Sequence, residues 1–139
     1  MLLIVRNCCH VQTNPHNIAA IATVLSRRMA EIDSENATSY TARYEDFATR
    51  WSDAIAVWES KAAPLAGMRV ITHHKSWVYL EKWLALDEVG NLEAVAGIPP
   101  TASHISRLSN EFGDGGADVI IRSPYQDSKP SKWLSERAG

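Results

Sequence analysis

The sequence shows almost no charge imbalance. Its 139 residues carry 14 Lys and Arg against 16 Asp and Glu, a net charge of −2. No basic cluster stands out, which argues against a nucleic-acid partner. Long apolar runs are missing too. Nothing approaches the roughly 18 residues needed to cross a bilayer, so a membrane-embedded protein is not expected. Met1 to Val5 is apolar but shorter than a signal-peptide core, and Arg6 and Cys8-Cys9 stand where a small-residue cleavage site is wanted. From these residues no signal peptide is expected. Cysteine is scarce. The two present, Cys8 and Cys9, are adjacent, and neighbours in sequence rarely bridge because the geometry is strained. With His10 they form a metal-competent trio, although two plain thiols near a chain end is the reading that composition favours. There is no Gly-rich phosphate loop, no nucleophile beside a base, no repeat and no low-complexity segment. Asp114 to Asp118 is too short for a calcium loop of the EF-hand type. These absences weigh against an enzyme and leave an ordinary chain of one domain's length, 45% hydrophobic and 22% charged.

The positive signals begin with helical periodicity. Ile18, Ile21, Leu25, Met29 and Ile32 recur at helical spacing. Asp33-Ser34 interrupts that run and is placed to cap a second helix. The second stripe is longer: Tyr40, Tyr44, Phe47, Trp51, Ile55, Trp58 and Ala62. Such a stripe must pack against something, here a sheet layer, with Trp51 and Trp58 in the core. Pro64 and Gly67 then stop the helix.

Three short β/α units follow. Arg69 to Thr72 reads as a strand, Trp77 to Leu86 as a helix, and Val89 to Leu92 as a second, weaker strand. Thr101 or Ser103 caps a helix over His104 to Phe112. Ala117 to Ile121 is a continuous apolar strand, as in the interior of a parallel sheet. Pro130 opens a last helix over Ser131 to Arg137. The fold class is therefore α/β, with long helices packed on a short parallel sheet of three strands and right-handed crossovers. A strand that ends in polar, metal-competent side chains, as Thr72 does at His73-His74, is where such folds place a site. Asp127 and Glu136, the carboxylates nearest the C-terminus, read as solvated charges.

Four segments carry a resemblance: HVQTNPHNIAAIA from His10, the helical pair broken at Asp33-Ser34-Glu35-Asn36, HHKSWVYL from His73, and GIPPTASHISRL with ADVIIRSPYQD and WLSERAG. In this order and spacing they resemble the zinc/manganese ABC-transporter substrate-binding proteins, the ZnuA-like or TroA-like family. The resemblance implies a two-lobe metal-binding fold joined by a long helix, located in the periplasm and delivering zinc or manganese to an ABC permease. On it, residues 1–16 correspond to the end of the N-terminal lobe with a metal-site segment, 17–66 to the linking helices and 67–139 to an incomplete C-terminal lobe. His10 and His74 match two family ligands. Cys8-Cys9 replaces the Asn-Pro that precedes the first of these in the family. His16 stands where the family often has arginine, and His73 has no ligand counterpart.

A tetrahedral zinc site takes four donors, and the family's remaining two lie outside the matched segments. Metal binding is therefore expected to be weak or absent in this chain. The alternative is an interaction module that has lost metal binding and persists as a homo-oligomer. The final strand of the family fold is also unmatched, which predicts an open sheet edge and, with the apolar helix faces, a homodimer.

Overall fold

The computed structural model describes residues 10–113 and 115–138. The reading of Cys8 and Cys9 as thiols or ligands lies outside the described residues, as does the Asp114 position of the loop before the last strand. The chain divides into two compact units, residues 1–64 and 65–139. Among the described residues no helix is long and apolar enough to cross a membrane.

The first unit is a helical hairpin. Helix α1 (Pro15–Ile32) starts where the sequence signals it: the Asn14 side chain accepts from the His16 backbone N–H at 2.9 Å, and Pro15 occupies the first helical position. Helix α2 (Ala37–Ala62) follows a single 3-10 turn, Ser34–Asn36. Asp33 was expected to cap it, but its side chain makes no capping bond. Its carboxylate instead accepts from Asn36 Nδ2 at 2.9 Å and from the Tyr40 hydroxyl at 2.8 Å. Those two bonds hold the Asp33 carboxyl below the usual carboxylate range, and the bond to Asp33 pushes the Tyr40 phenol up. The carboxylate ties the turn to α2 rather than closing the helix end.

The two helices run antiparallel. Ser26 Oγ donates to the Tyr40 carbonyl (3.2 Å), Thr23 and Tyr44 share a hydroxyl bond (2.8 Å), and Trp51 Nε1 donates to the Pro15 carbonyl (2.9 Å). Phe47 stacks on Trp51, which meets Trp58 edge-on, each pair with centroids 5.3 Å apart. The aromatic stripe of α2 thus finds part of its cover in α1. Its reading as core holds only for Ile55, which is buried. Trp51 is half-buried and Trp58 is 38% exposed. Periodicity identifies residues that share a face, not what covers that face.

The second unit is a three-stranded parallel sheet with helices. The strands β1 (Arg69–Thr72), β2 (Asp87–Asn91) and β3 (Val119–Ile121) lie in the order β2-β1-β3. Helix α3 (Val78–Leu84) connects β1 to β2, and α4 (Ala102–Phe112) connects β2 to β3. Helix α5 (Lys129–Ala138) closes the described chain. β1, the central strand, carries Val70, Ile71 and Thr72, all at most 1% exposed. The core joins Ile71 and Leu92 to Ile105, Leu108 and Phe112 of α4 and Leu134 of α5. A bulge shifts the β1–β2 register between Val70 and Ile71, so that Thr72 pairs with Asn91. Because all three strands are parallel, their C-terminal ends share one side of the sheet, and the candidate site lies there.

Candidate metal centre

β1 runs directly into the histidine pair. The His73 backbone is gripped from both sides: its N–H donates to the Ile121 carbonyl (2.8 Å) and its own carbonyl accepts from Glu93 N–H (3.2 Å). The two histidines, in the bend that follows β1, differ in burial. His73 is only 4% exposed, and its Nδ1 is buried without a hydrogen-bond partner. Burial holds the His73 imidazole below its ordinary value, although the carboxylates of Glu93 and Asp127 pull the other way. A charge there would lose its hydration. The His74 side chain is 34% exposed.

His74 does not stand alone. Its Nδ1 lies 2.7 Å from Oε2 of Glu93, and the same oxygen accepts the Gly97 N–H at 2.8 Å. Burial pushes the Glu93 carboxyl up, but the bonds from His74 and Gly97 outweigh it and hold the group below the usual carboxylate range. Glu93 is anchored in turn. Its N–H donates to Asn91 Oδ1 (2.9 Å), Asn91 Nδ2 donates to Thr72 Oγ1 (2.8 Å), and the Thr72 hydroxyl donates to Glu88 Oε1 (2.7 Å). The Asn91 carbonyl accepts from Nε2 of His104 at 2.8 Å, whose Nδ1 receives the Arg107 guanidinium at 3.1 Å. Glu93, Asn91, Thr72, Glu88, His104 and Arg107 thus form one linked set of hydrogen bonds from β1, β2 and α4 behind His74.

Glu93 is the functional residue that sequence reading missed. Its signal is the register: Thr72 pairs with Asn91, so two residues further on His74 and Glu93 emerge side by side at the sheet's C-terminal edge. The histidine and the carboxylate are nineteen positions apart in sequence.

The other sequence candidates sit elsewhere. His10 belongs to the first unit and His74 to the second. His10 is half-buried at a left-handed φ of 81°, and its carbonyl accepts both the backbone N–H (3.0 Å) and the hydroxyl (2.8 Å) of Thr13. His16 is exposed and its Nε2 meets Glu59 Oε1 at 2.7 Å, a hydrogen bond across the helical hairpin. Asp127 accepts the Lys129 N–H at 3.0 Å at the start of α5 and is exposed, and Glu136 is exposed as well. Among the described residues no three His, Cys, Asp or Glu side chains are grouped so as to hold a metal ion.

The profile of the family described as ZnuA, zinc-uptake complex component A, periplasmic, matches residues 9–139. Among solved structures, one described as ZnuA is 22% identical with a TM-score of 0.80, covering 94% of this chain and 50% of that one. The substrate-binding protein FpvC from Pseudomonas aeruginosa, in complex with Mn2+, is 22% identical with a TM-score of 0.75 and the same coverage. The laminin-binding protein Lbp of Streptococcus pyogenes is 17% identical with a TM-score of 0.71, again over 94% of this chain and 50% of that one. The chain thus spans about half the length of the structures it matches, and at these identities the likeness is one of fold. No curated protein matches. The profile covers nearly the whole chain, from the residue before His10 to the end, and on that ground the chain belongs to the ZnuA family of zinc-uptake components.

Proposed function

We propose that this chain serves metal uptake by binding a divalent cation, zinc or manganese, at His74, the donor of the second unit, for delivery to an ABC permease from the periplasm; His10, in the first unit, is put forward as a donor on the family resemblance alone. It acts as a binding protein, not as an enzyme. The observation that carries this reading is His74: an accessible imidazole at the C-terminal end of the central strand, backed by a carboxylate 2.7 Å from its Nδ1. Metal-binding histidines characteristically donate their second ring nitrogen to such a partner.

A closed tetrahedral zinc site takes four donors, more than these imidazoles supply. Binding by this chain alone is therefore weak. Calorimetric titration of zinc into the metal-free protein tests the reading. Saturable binding that disappears in His74→Ala and weakens in His10→Ala supports it. No heat of binding up to about 1 mM zinc, where even a 4 kcal/mol interaction would register, would leave the second reading.

That second reading is an interaction module that holds no metal and works as a homo-oligomer. One observation favours it. The outer face of α1 exposes Ile21, Val24, Leu25, Met29 and Ile32, more contiguous apolar surface than single scattered residues would make.

A further inference from the structure

We propose that Glu93 is a positioning residue that locks His74 in the tautomer with the proton on Nδ1, leaving the Nε2 lone pair to meet a metal ion. The inference deepens the reading of His74 as a ligand and rests on it.

A neutral imidazole carries one proton, and which nitrogen holds it depends on what the other atoms of the site can accept. Glu93 Oε2 lies 2.7 Å from Nδ1. An ionised carboxylate only accepts hydrogen bonds, so Nδ1 must be the donor. Nε2 is then the unprotonated nitrogen, the form a divalent cation needs.

The geometry is rigid where a positioning role requires it. Glu93 sits in the short segment leaving β2, and its side chain is 12% exposed. Oε2 is pinned a second time by Gly97 N–H at 2.8 Å, which folds the segment back on itself. That turn needs Gly97, whose φ of 82° lies in the left-handed region. From behind, the Asn91 amide holds the Glu93 N–H and is itself tied to Thr72 in the central strand. The carboxylate has little freedom to swing away, and the His74 ring follows it.

The test reads the tautomer directly and without metal. Long-range proton–nitrogen correlation spectra of the nitrogen-15-labelled chain report which ring nitrogen of each histidine is protonated. Loss of a signal set in His74→Gln assigns His74. At about pH 8, where free imidazole is neutral, His74 is expected to show a protonated Nδ1 and a bare Nε2. In Glu93→Ala it should move to the Nε2-protonated form, while Glu93→Gln, whose amide oxygen can still accept, should retain much of the wild-type pattern. His104 is the internal control for folding. Its Nε2 faces the Asn91 carbonyl, so it should remain Nε2-protonated in all three proteins. A wild-type His74 protonated on Nε2, or a His74 pattern unchanged by Glu93→Ala, overturns the proposal.

Zinc titration separates this result from the functional reading. Where the wild type binds, Glu93→Ala should lower affinity about 10–100-fold, the range seen when such outer partners are removed. An equal affinity would overturn the positioning role. If the wild type takes up no zinc while the tautomer responds as expected, the lock stands and the metal-binding reading fails.

Discussion

A carboxyl removed from water and left without a hydrogen bond costs free energy, and it escapes most of that cost by keeping its proton. Glu81 of α3 is in this position: it is 8% exposed and its Oε1 has no partner. Burial, with the Glu88 carboxylate adding repulsion and Lys75 only partly offsetting it, raises its pKa from 4.5 to about 7. A folded-state pKa above the unfolded one means the fold holds the proton more tightly. The contribution of Glu81 to stability is therefore whole below the unfolded value and is lost as pH climbs towards about 7, a swing of about 3 kcal/mol. His73 works in the opposite sense in an overlapping window. Its lowered pKa favours the fold above the ordinary imidazole range and is lost as pH falls. Wild type alone shows only the difference of the two. Glu81→Gln isolates the first, since it keeps the shape and removes the charge. The variant should melt higher than wild type above pH 7, and the gap should close near pH 4.5. A gap that stays constant across that range would mean that Glu81 carries its proton no more tightly in the fold than in the unfolded chain.

Among the elements, α4 shows how local sequence and distant packing divide the work. Thr101 caps it, Oγ1 accepting the His104 N–H, and Ile105, Leu108 and Phe112 on its inner face supply half of the sheet unit's buried core cluster. The face was legible, and the cap only as one of two hydroxyls, Thr101 or Ser103; the helix begins at Ala102, two residues before the His104 start that the sequence suggests. The partner of that face was not legible. Gly90 of β2 lies so near that a Cβ there would sit 3.3 Å from the Phe112 ring and 3.4 Å from both Ile71 and Leu108. Thr101→Ala should lower stability by about 1 kcal/mol, and Gly90→Val by about 1–3 kcal/mol through overpacking. Urea midpoints measure both, and a Gly90→Val protein as stable as wild type would mean that this helix gives way easily. The same contrast explains β2. Sequence reading places it at Val89 to Leu92. The structure starts it at Asp87, because an edge strand tolerates charge and the Glu88 carboxylate takes the Thr72 hydroxyl. β1 and β3, apolar and short, were read within two residues of their observed ends. Glu93 escaped for a related reason. Its meeting with His74 depends on the register of two parallel strands and on a bulge between them, and neither is written in any local stretch of sequence.

For the whole molecule the open question is what the apolar face of α1 meets. Ile21 is 47% exposed, Val24 and Leu25 55%, Met29 39% and Ile32 72%, and their spacing places them on one side of the helix. Water against so many branched side chains is unfavourable, at roughly 25 cal/mol for each Å² left wet. A second copy of the chain offers an identical face, and a two-fold pairing of α1 would cover both at once. The sheet adds a further reason to self-associate, since β2 and β3 are its edges among the described residues and edge strands present unpaired backbone groups. The chain is therefore expected to sediment as a dimer at micromolar concentration. Leu25→Lys with Ile32→Lys, both at exposed positions and so tolerated by the fold, should return it to a monomer of about 15.4 kDa with an unchanged helical circular-dichroism spectrum. Dimers that survive the double substitution would move the contact away from α1, towards the sheet edges. A wild-type monomer that stays clear in solution for days would show that the exposed stripe needs no second copy.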